Sequence, residues 1–223
     1  MRPTEARWLG EQLAAIEASS LNPVLEIGSS TLSFREQNSH IQHHIHRPLQ
    51  DRGIRIITTD LKQGAGVDVS GNLLEPAVQA RILQYTPNAL LCCNVLEHVE
   101  ERQAFAQACG ALLPAGGWLF VSVPHSYPYH LDPIDTYFRP DVEQICELFP
   151  DFEVKAAGIV EDQSYWDELR QQGLAGAASE LALALARSLL LRGGLERSKA
   201  RLHRLFWLAR PYQIAAAVLR KRG

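Results

Sequence analysis

Six short apolar runs, at residues 24–27, 54–59, 66–69, 89–93, 118–123 and 152–160, are separated by stretches of helical periodicity. A run of this length without polar alternation reads as a strand buried on both faces, and strands interleaved with helices are joined by right-handed crossovers. The expected fold class is therefore α/β, a doubly wound, mainly parallel sheet with helices on both faces. Helical patterns at 75–85, 95–113 and 140–149 supply the crossovers, and 4–20 predicts a lead-in helix. Beyond residue 164, the segments 177–191, 195–208 and 211–221 all read as helices, and no seventh strand is visible. The expected organisation is an N-terminal helix (1–22), an α/β domain (23–163) and a basic helical extension (164–223).

Composition narrows the class of protein. With 46% hydrophobic residues in 223, the chain can bury one sizeable core and is too apolar for disorder. Cys92, Cys93, Cys109 and Cys146 form no CxxC or zinc spacing, which fits a reducing compartment. The first ten residues carry Arg2, Glu5 and Arg7 instead of a basic start followed by an apolar stretch, so no secretory signal is expected. The longest apolar stretch, 181–191, is too short to span a bilayer. The expected location is cytoplasmic, including the inner face of a membrane.

In doubly wound sheets, ligands sit beyond the carboxyl ends of the strands, near the point where strand order reverses. The loop after the first run is Gly28-Ser29-Ser30. A glycine there permits close backbone approach, and small hydroxyl residues leave room and offer hydrogen bonds. Asp60 closes the second run, where a carboxylate can accept hydrogen bonds from both hydroxyls of a ribose. Neither GxGxxG nor a phosphate-loop lysine is present, so a nucleoside without phosphates fits better than a dinucleotide.

Val24-Leu25-Glu26-Ile27-Gly28, Asp60, Asn72 after the third run and Asn94-Val95-Leu96-Glu97-His98-Val99 after the fourth together resemble the type 11 group of class I S-adenosylmethionine-dependent methyltransferases, over about residues 23–160. The resemblance implies that fold, which is Rossmann-related, and S-adenosylmethionine as cofactor. It places Glu26, Gly28, Ser29 and Ser30 along the methionine and ribose, Asp60 on the ribose, Asn72 by the adenine amino group and Asn94 near the methionine end. The family's GxGxG is replaced here by Gly28-Ser29-Ser30.

After the fifth run comes the densest polar segment of the chain, with His125, Tyr127, Tyr129, His130, Asp132, Asp135, Tyr137 and Arg139. Its position predicts an acceptor wall, with Tyr127, Tyr129, Asp132, Asp135, Tyr137 and Arg139 as substrate contacts. Tyrosine stacks on sugar faces and aspartate binds hydroxyls, so a small-molecule or sugar/cell-envelope glycan acceptor suits the wall. Transfer to an oxygen needs a base, for which His125 stands first, with His98 or His130 behind it. Glu97 reads as favouring a helix N-terminus. No metal is assigned, although His125, His130, Asp132 and Asp135 leave a metal-dependent hydrolase open. His40, His43, His44 and His46 predict a solvated or half-buried helix face.

Net charge is −3, but from Arg187 onward there are ten Lys or Arg against Glu196 alone. Basic and aromatic residues interleave over 195–208, as in helices that lie on an anionic membrane surface, though residues 187–223 could instead pack on the acidic body or form a homodimer. A non-catalytic scaffold attached to a membrane or partner through this tail is thus a second reading. Nucleic acid is not expected as a partner, because the body is acidic and carries no recognition motif.

Overall fold

The computed structural model describes residues 1–130, 134–190 and 194–223. Seven strands form one sheet: β1 (Val24–Ile27), β2 (Ile56–Asp60), β3 (Val69–Ser70), β4 (Ala89–Cys93), β5 (Trp118–Ser126), β6 (Phe152–Ser164) and β7 (Pro211–Lys221). Their order across the sheet is β3-β2-β1-β4-β5-β7-β6, parallel except for β7. β1 lies between β2 and β4, with Val24 beside both Ile56 and Ala89. Chain order reverses there, so the loops after β1 and β4 diverge and leave a crevice at the carboxyl edge.

Both faces of the sheet are buried, as the apolar runs demand. On one face, Leu90, Cys92 and Val121 pack on α6 (Pro76–Leu83), α7 (Arg102–Ala111) and α8 (Val142–Glu147) through Ile82, Phe105 and Ile145. On the other, Leu91 and Phe120 meet α1 (Pro3–Ala14), α2 (Ala18–Leu21), the π-helical turn Gln42–His46 and α5 (Arg47–Asp51), with the short helix α4 (Ser39–Ile41) leading into that turn. α3 (Leu32–Gln37) follows β1 directly.

The helix expected over 211–221 is instead β7, paired antiparallel with β5 and β6. Ile214 to Leu219 is fully apolar, and all six residues are buried, with Ala215 and Ala217 in one core and Val218 in the other. A run without a polar face cannot be told from a buried helix by periodicity, and its alanines tip propensity towards helix. Open partners on both sides decide for strand. The sheet therefore draws its seventh strand from the basic extension, which is not a separate helical unit. β6 also reaches Ser164, four residues beyond the end of the apolar run at 160.

Two expected helices divide. The segment 95–113 becomes a single 3-10 turn, Leu96–His98, followed by α7, and 4–20 becomes α1 and α2. The remaining helices are α9 (Tyr165–Arg170), α10 (Gly173–Leu189) and α11 (Leu195–Arg204). α9 and Trp207 share a small core with Tyr212 of β7. Much of the α10 and α11 surface is uncovered, including Leu189 and Leu195.

Candidate functional site

The crevice begins at Gly28, where the backbone takes a φ of +70°. A Cβ there would stand 2.7 Å from Val95 Cγ2, so both the turn and its neighbour demand glycine. Ser30 also has positive φ, +54°, and its N–H donates to Asp60 Oδ2 at 2.8 Å. The other oxygen of Asp60 accepts from the Lys62 amide at 2.9 Å. The glycine turn and the β2 carboxylate thus meet directly. A Gly28→Ala variant is expected to lose about 2 kcal/mol in urea unfolding, the strain of a side chain at positive φ with Val95 displaced.

Around this junction two side chains do work that no sequence pattern announces. Arg35, on α3, is 5% exposed and donates to the carbonyls of Ser29 at 3.1 Å, Ser30 at 2.7 Å and Gly66 at 2.6 Å, tying the loops after β1 and β2 together. Glu5, on α1, is fully buried and accepts from Asn94 Nδ2 at 2.8 Å, Ser122 Oγ at 2.6 Å and the Arg2 amide at 2.8 Å. The N-terminal helix is therefore bolted to the edge of β4 and β5. Asn94, at φ +54°, faces Glu5, and Asn72 is exposed and uses its Oδ1 to accept from the Leu74 amide in its own turn. Glu26 lies 3.1 Å from His46 Nε2. His46 is buried, whereas His43 is exposed and His40 and His44 are half-buried.

The chemistry of these groups fits a phosphate-free nucleoside: a carboxylate at the ribose position, a turn that tolerates no Cβ, and no phosphate cradle. The space is smaller than that ligand. Over Gly28 the hollow measures about 50 Å³, lined among others by Met1, Phe34, Arg35 and Cys93. That volume holds a few water molecules at most, while organic ligands occupy several hundred Å³. Entry of a nucleoside requires Met1, Phe34 and Arg35 to move aside.

At the end of β5, the expected acceptor wall is assembled, but its members divide. His125 Nδ1 lies 2.8 Å from the Pro140 carbonyl. Tyr127 stacks by Tyr212 and His130, with ring centres 4.9 and 5.6 Å away. Tyr129 and Tyr137 lie 6.4 Å apart, and Tyr137 is half exposed. Asp135 turns inward: its side chain is inaccessible, and it accepts from Arg139 at 2.6 and 3.1 Å and from the amides of His130 and Tyr137 at 3.0 and 2.8 Å. Burial opposes its ionisation, yet Arg139 and those amides outweigh it and hold the carboxyl below its ordinary value. Asp135 and Arg139 are a clasp that shapes the loop. Asp132 lies outside the described residues.

The same clasp brings distant residues together. Thr136 donates through N and Oγ1, both at 2.9 Å, to the Glu97 carbonyl, and His98 Nδ1 bonds the Ile134 carbonyl. His98 and His130 then meet edge to face, with centres 5.4 Å apart. Glu97 does not serve a helix terminus as expected. It is fully buried, and neither carboxylate oxygen has a hydrogen-bond partner. Burial pushes its pKa up to about 8, aided by Glu5 and only partly offset by its own amide and Arg139. One ligand atom each from Glu97, His98 and His130 fall within 4.8 Å of one another. The four-residue metal set open from sequence does not converge among the described residues, because His125 and Asp135 are engaged elsewhere.

The tail folds back onto this wall. His203 Nδ1 accepts from the Tyr129 amide at 3.0 Å, and Trp207 Nε1 donates to the Ser126 carbonyl at 3.1 Å. Arg204 and Arg2 both reach Glu168, at 2.7 and 2.5 Å. Among the described residues, no helix is long and apolar enough to cross a membrane.

No family model and no curated protein sequence matches the chain. Solved structures do. The [4+2]-cyclase SpnF aligns over 97% of this chain and 80% of its own, with TM-score 0.56 and 17% identity. A SAM-dependent methyltransferase from Archaeoglobus fulgidus aligns over 97% of this chain and 94% of its own, with TM-score 0.53 and 10% identity. At such identities the likeness is one of fold, and the fold is that of class I S-adenosylmethionine-dependent methyltransferases.

Proposed function

We propose that this chain is an S-adenosylmethionine-dependent methyltransferase acting on an oxygen of a small-molecule or sugar/cell-envelope glycan acceptor. The observation that carries the reading is the junction of Gly28, Ser30 and Asp60 at the switch point of the sheet, chemically matched to a ribose without phosphates. When bound, the cofactor supplies a methyl group already activated by its sulfonium, so alignment provides most of the acceleration. Glu26 and the Gly28-Ser29-Ser30 turn would border its methionine and ribose, Asp60 would accept ribose hydroxyls, Asn72 would meet the adenine edge, and Asn94 would stand at the methyl end. Tyr127, Tyr129 and Tyr137 hold the acceptor. His125, with Nδ1 at the Pro140 carbonyl, is oriented to take the hydroxyl proton on Nε2.

Calorimetric titration with S-adenosylhomocysteine tests this. The wild type is expected to bind, and Asp60→Ala to bind at least about tenfold more weakly, the loss of a charge-assisted hydrogen bond. Absence of binding by a folded wild type overturns the reading.

One observation favours a second reading, a methyltransferase-fold scaffold held to a membrane or partner through its basic tail. It is the narrowness of the hollow over Gly28. That reading predicts attachment to anionic liposomes without S-adenosylhomocysteine binding.

A further inference from the structure

The cluster of Glu97, His98 and His130 has no part in the cofactor site, and its composition is unusual for a surface loop. Two imidazoles and one carboxylate offer ligand atoms within 4.8 Å of one another. We propose that Glu97, His98 and His130 bind a divalent transition-metal cation such as Zn²⁺ at the carboxyl edge of β4, leaving coordination positions open to the methyl acceptor.

Three independent features support this. First, Glu97 is a fully buried side chain whose two oxygens lack any hydrogen-bond donor, an arrangement that is costly unless a cation or proton completes it. His98 Nε2 is 3.8 Å away, too far for a hydrogen bond and near enough to share an ion. Second, both imidazoles are fixed from behind. His98 bonds the Ile134 carbonyl through Nδ1, which leaves Nε2, the nitrogen facing Glu97, with its lone pair. His130 Nδ1 lies 3.4 Å from both Asp135 Oδ2 and the Pro128 carbonyl, and Asp135 is itself gripped by Arg139. Carbonyl or carboxylate support behind each ligating histidine is the arrangement that orients metal ligands and raises their basicity. Third, the two imidazole side chains are 23% and 34% exposed while the carboxylate is sealed, so solvent reaches the cluster at its imidazoles.

Two nitrogens and one oxygen suit a borderline cation such as Zn²⁺, Mn²⁺ or Fe²⁺ better than Mg²⁺ or Ca²⁺, which prefer all-oxygen shells. Three protein ligands with open positions are the mark of a catalytic site, not a structural one. Here His130 adjoins Tyr127 of the acceptor wall. The cation would hold a hydroxyl of the acceptor by its oxygen and ease transfer of its proton to His125. The O–CH₃ bond then forms as the S–CH₃ bond breaks, with no change in oxidation state of the metal. This role rests on the methyltransferase reading, whereas the binding of the cation does not.

The test uses the full, untagged chain stripped with a chelator and titrated calorimetrically with Zn²⁺. One equivalent is expected to bind, with affinity reduced more than about tenfold in Glu97→Gln, His98→Ala and His130→Ala and unchanged in the surface variant His43→Ala. His130 sits in a partly exposed loop, so its replacement leaves the core intact, and circular dichroism verifies folding of each variant. Absence of binding, or binding that survives the His98→Ala/His130→Ala double variant, overturns the proposal. S-adenosylhomocysteine titration of the same samples separates the outcomes: binding of that ligand without Zn²⁺ removes the metal site alone, and binding of Zn²⁺ alone leaves the metal site standing without the methyltransferase reading.

Discussion

Chelator-treated protein is expected to lose about 2 kcal/mol of stability between pH 6.5 and 8.5, and Glu97→Gln is expected to abolish that loss. The cause is the displacement of Glu97 from an ordinary value of 4.5 to about 8 by burial. The folded state holds this proton more tightly than the unfolded chain, so the contribution is fully present below 4.5, erodes as pH rises and is gone above 8. The slope across that window is about 1.4 kcal/mol per pH unit. His44, His130 and His203 act in the opposite direction, because burial lowers their values from 6.5 and stability climbs with pH until 6.5 is passed. Above that point they contribute nothing further, and the decline belongs to Glu97. Melting temperatures at pH 6.5, 7.5 and 8.5 for both proteins measure it. A wild-type curve flat over that range, or a Glu97→Gln curve just as steep, refutes the assignment.

Arg139→Ala is expected to cost about 3 kcal/mol, the penalty for leaving a buried carboxylate unpaired. Asp135 would keep only its backbone donors, and its side chain has no access to water. Asp135→Asn/Arg139→Met should recover part of that loss, since removing both charges relieves the unpaired one. Equilibrium unfolding of the single and double variants gives the coupling. If the changes simply add, the clasp is not a unit. The same variants should weaken Zn²⁺ binding, because Asp135 supports His130 from behind.

How much of this was legible depended on the range over which each signal acts. β1, β2, β4 and β5 announce themselves as short apolar runs bounded by turn residues, and the Gly28 turn with Asp60 follows from strand ends alone. β7 was hidden, because Ala215, Ala216 and Ala217 read as helix until two open strand edges are supplied. Asp135 and Arg139 were visible as polar residues in the correct loop, but their mutual pairing is a tertiary fact, and it removes them from the exposed wall. Glu97 and His98 stand side by side in sequence, yet their meeting with His130 depends on Thr136 and Ile134 stitching two loops together. Arg35 and Glu5 gave no signal at all. Each is one of several charges on its helix, and only the convergence of carbonyls on one and of Asn94 and Ser122 on the other reveals a purpose.

The position of β7 between β5 and β6 also governs the order in which the molecule can be completed. β5 and β6 share no ladder of their own, so as the chain is synthesised each waits with a bare edge until residues 211–221 slide in between them. Nascent intermediates therefore present two unsealed, aggregation-prone borders, and the final slot is filled by a small, alanine-rich wedge that meets little steric resistance on the way in.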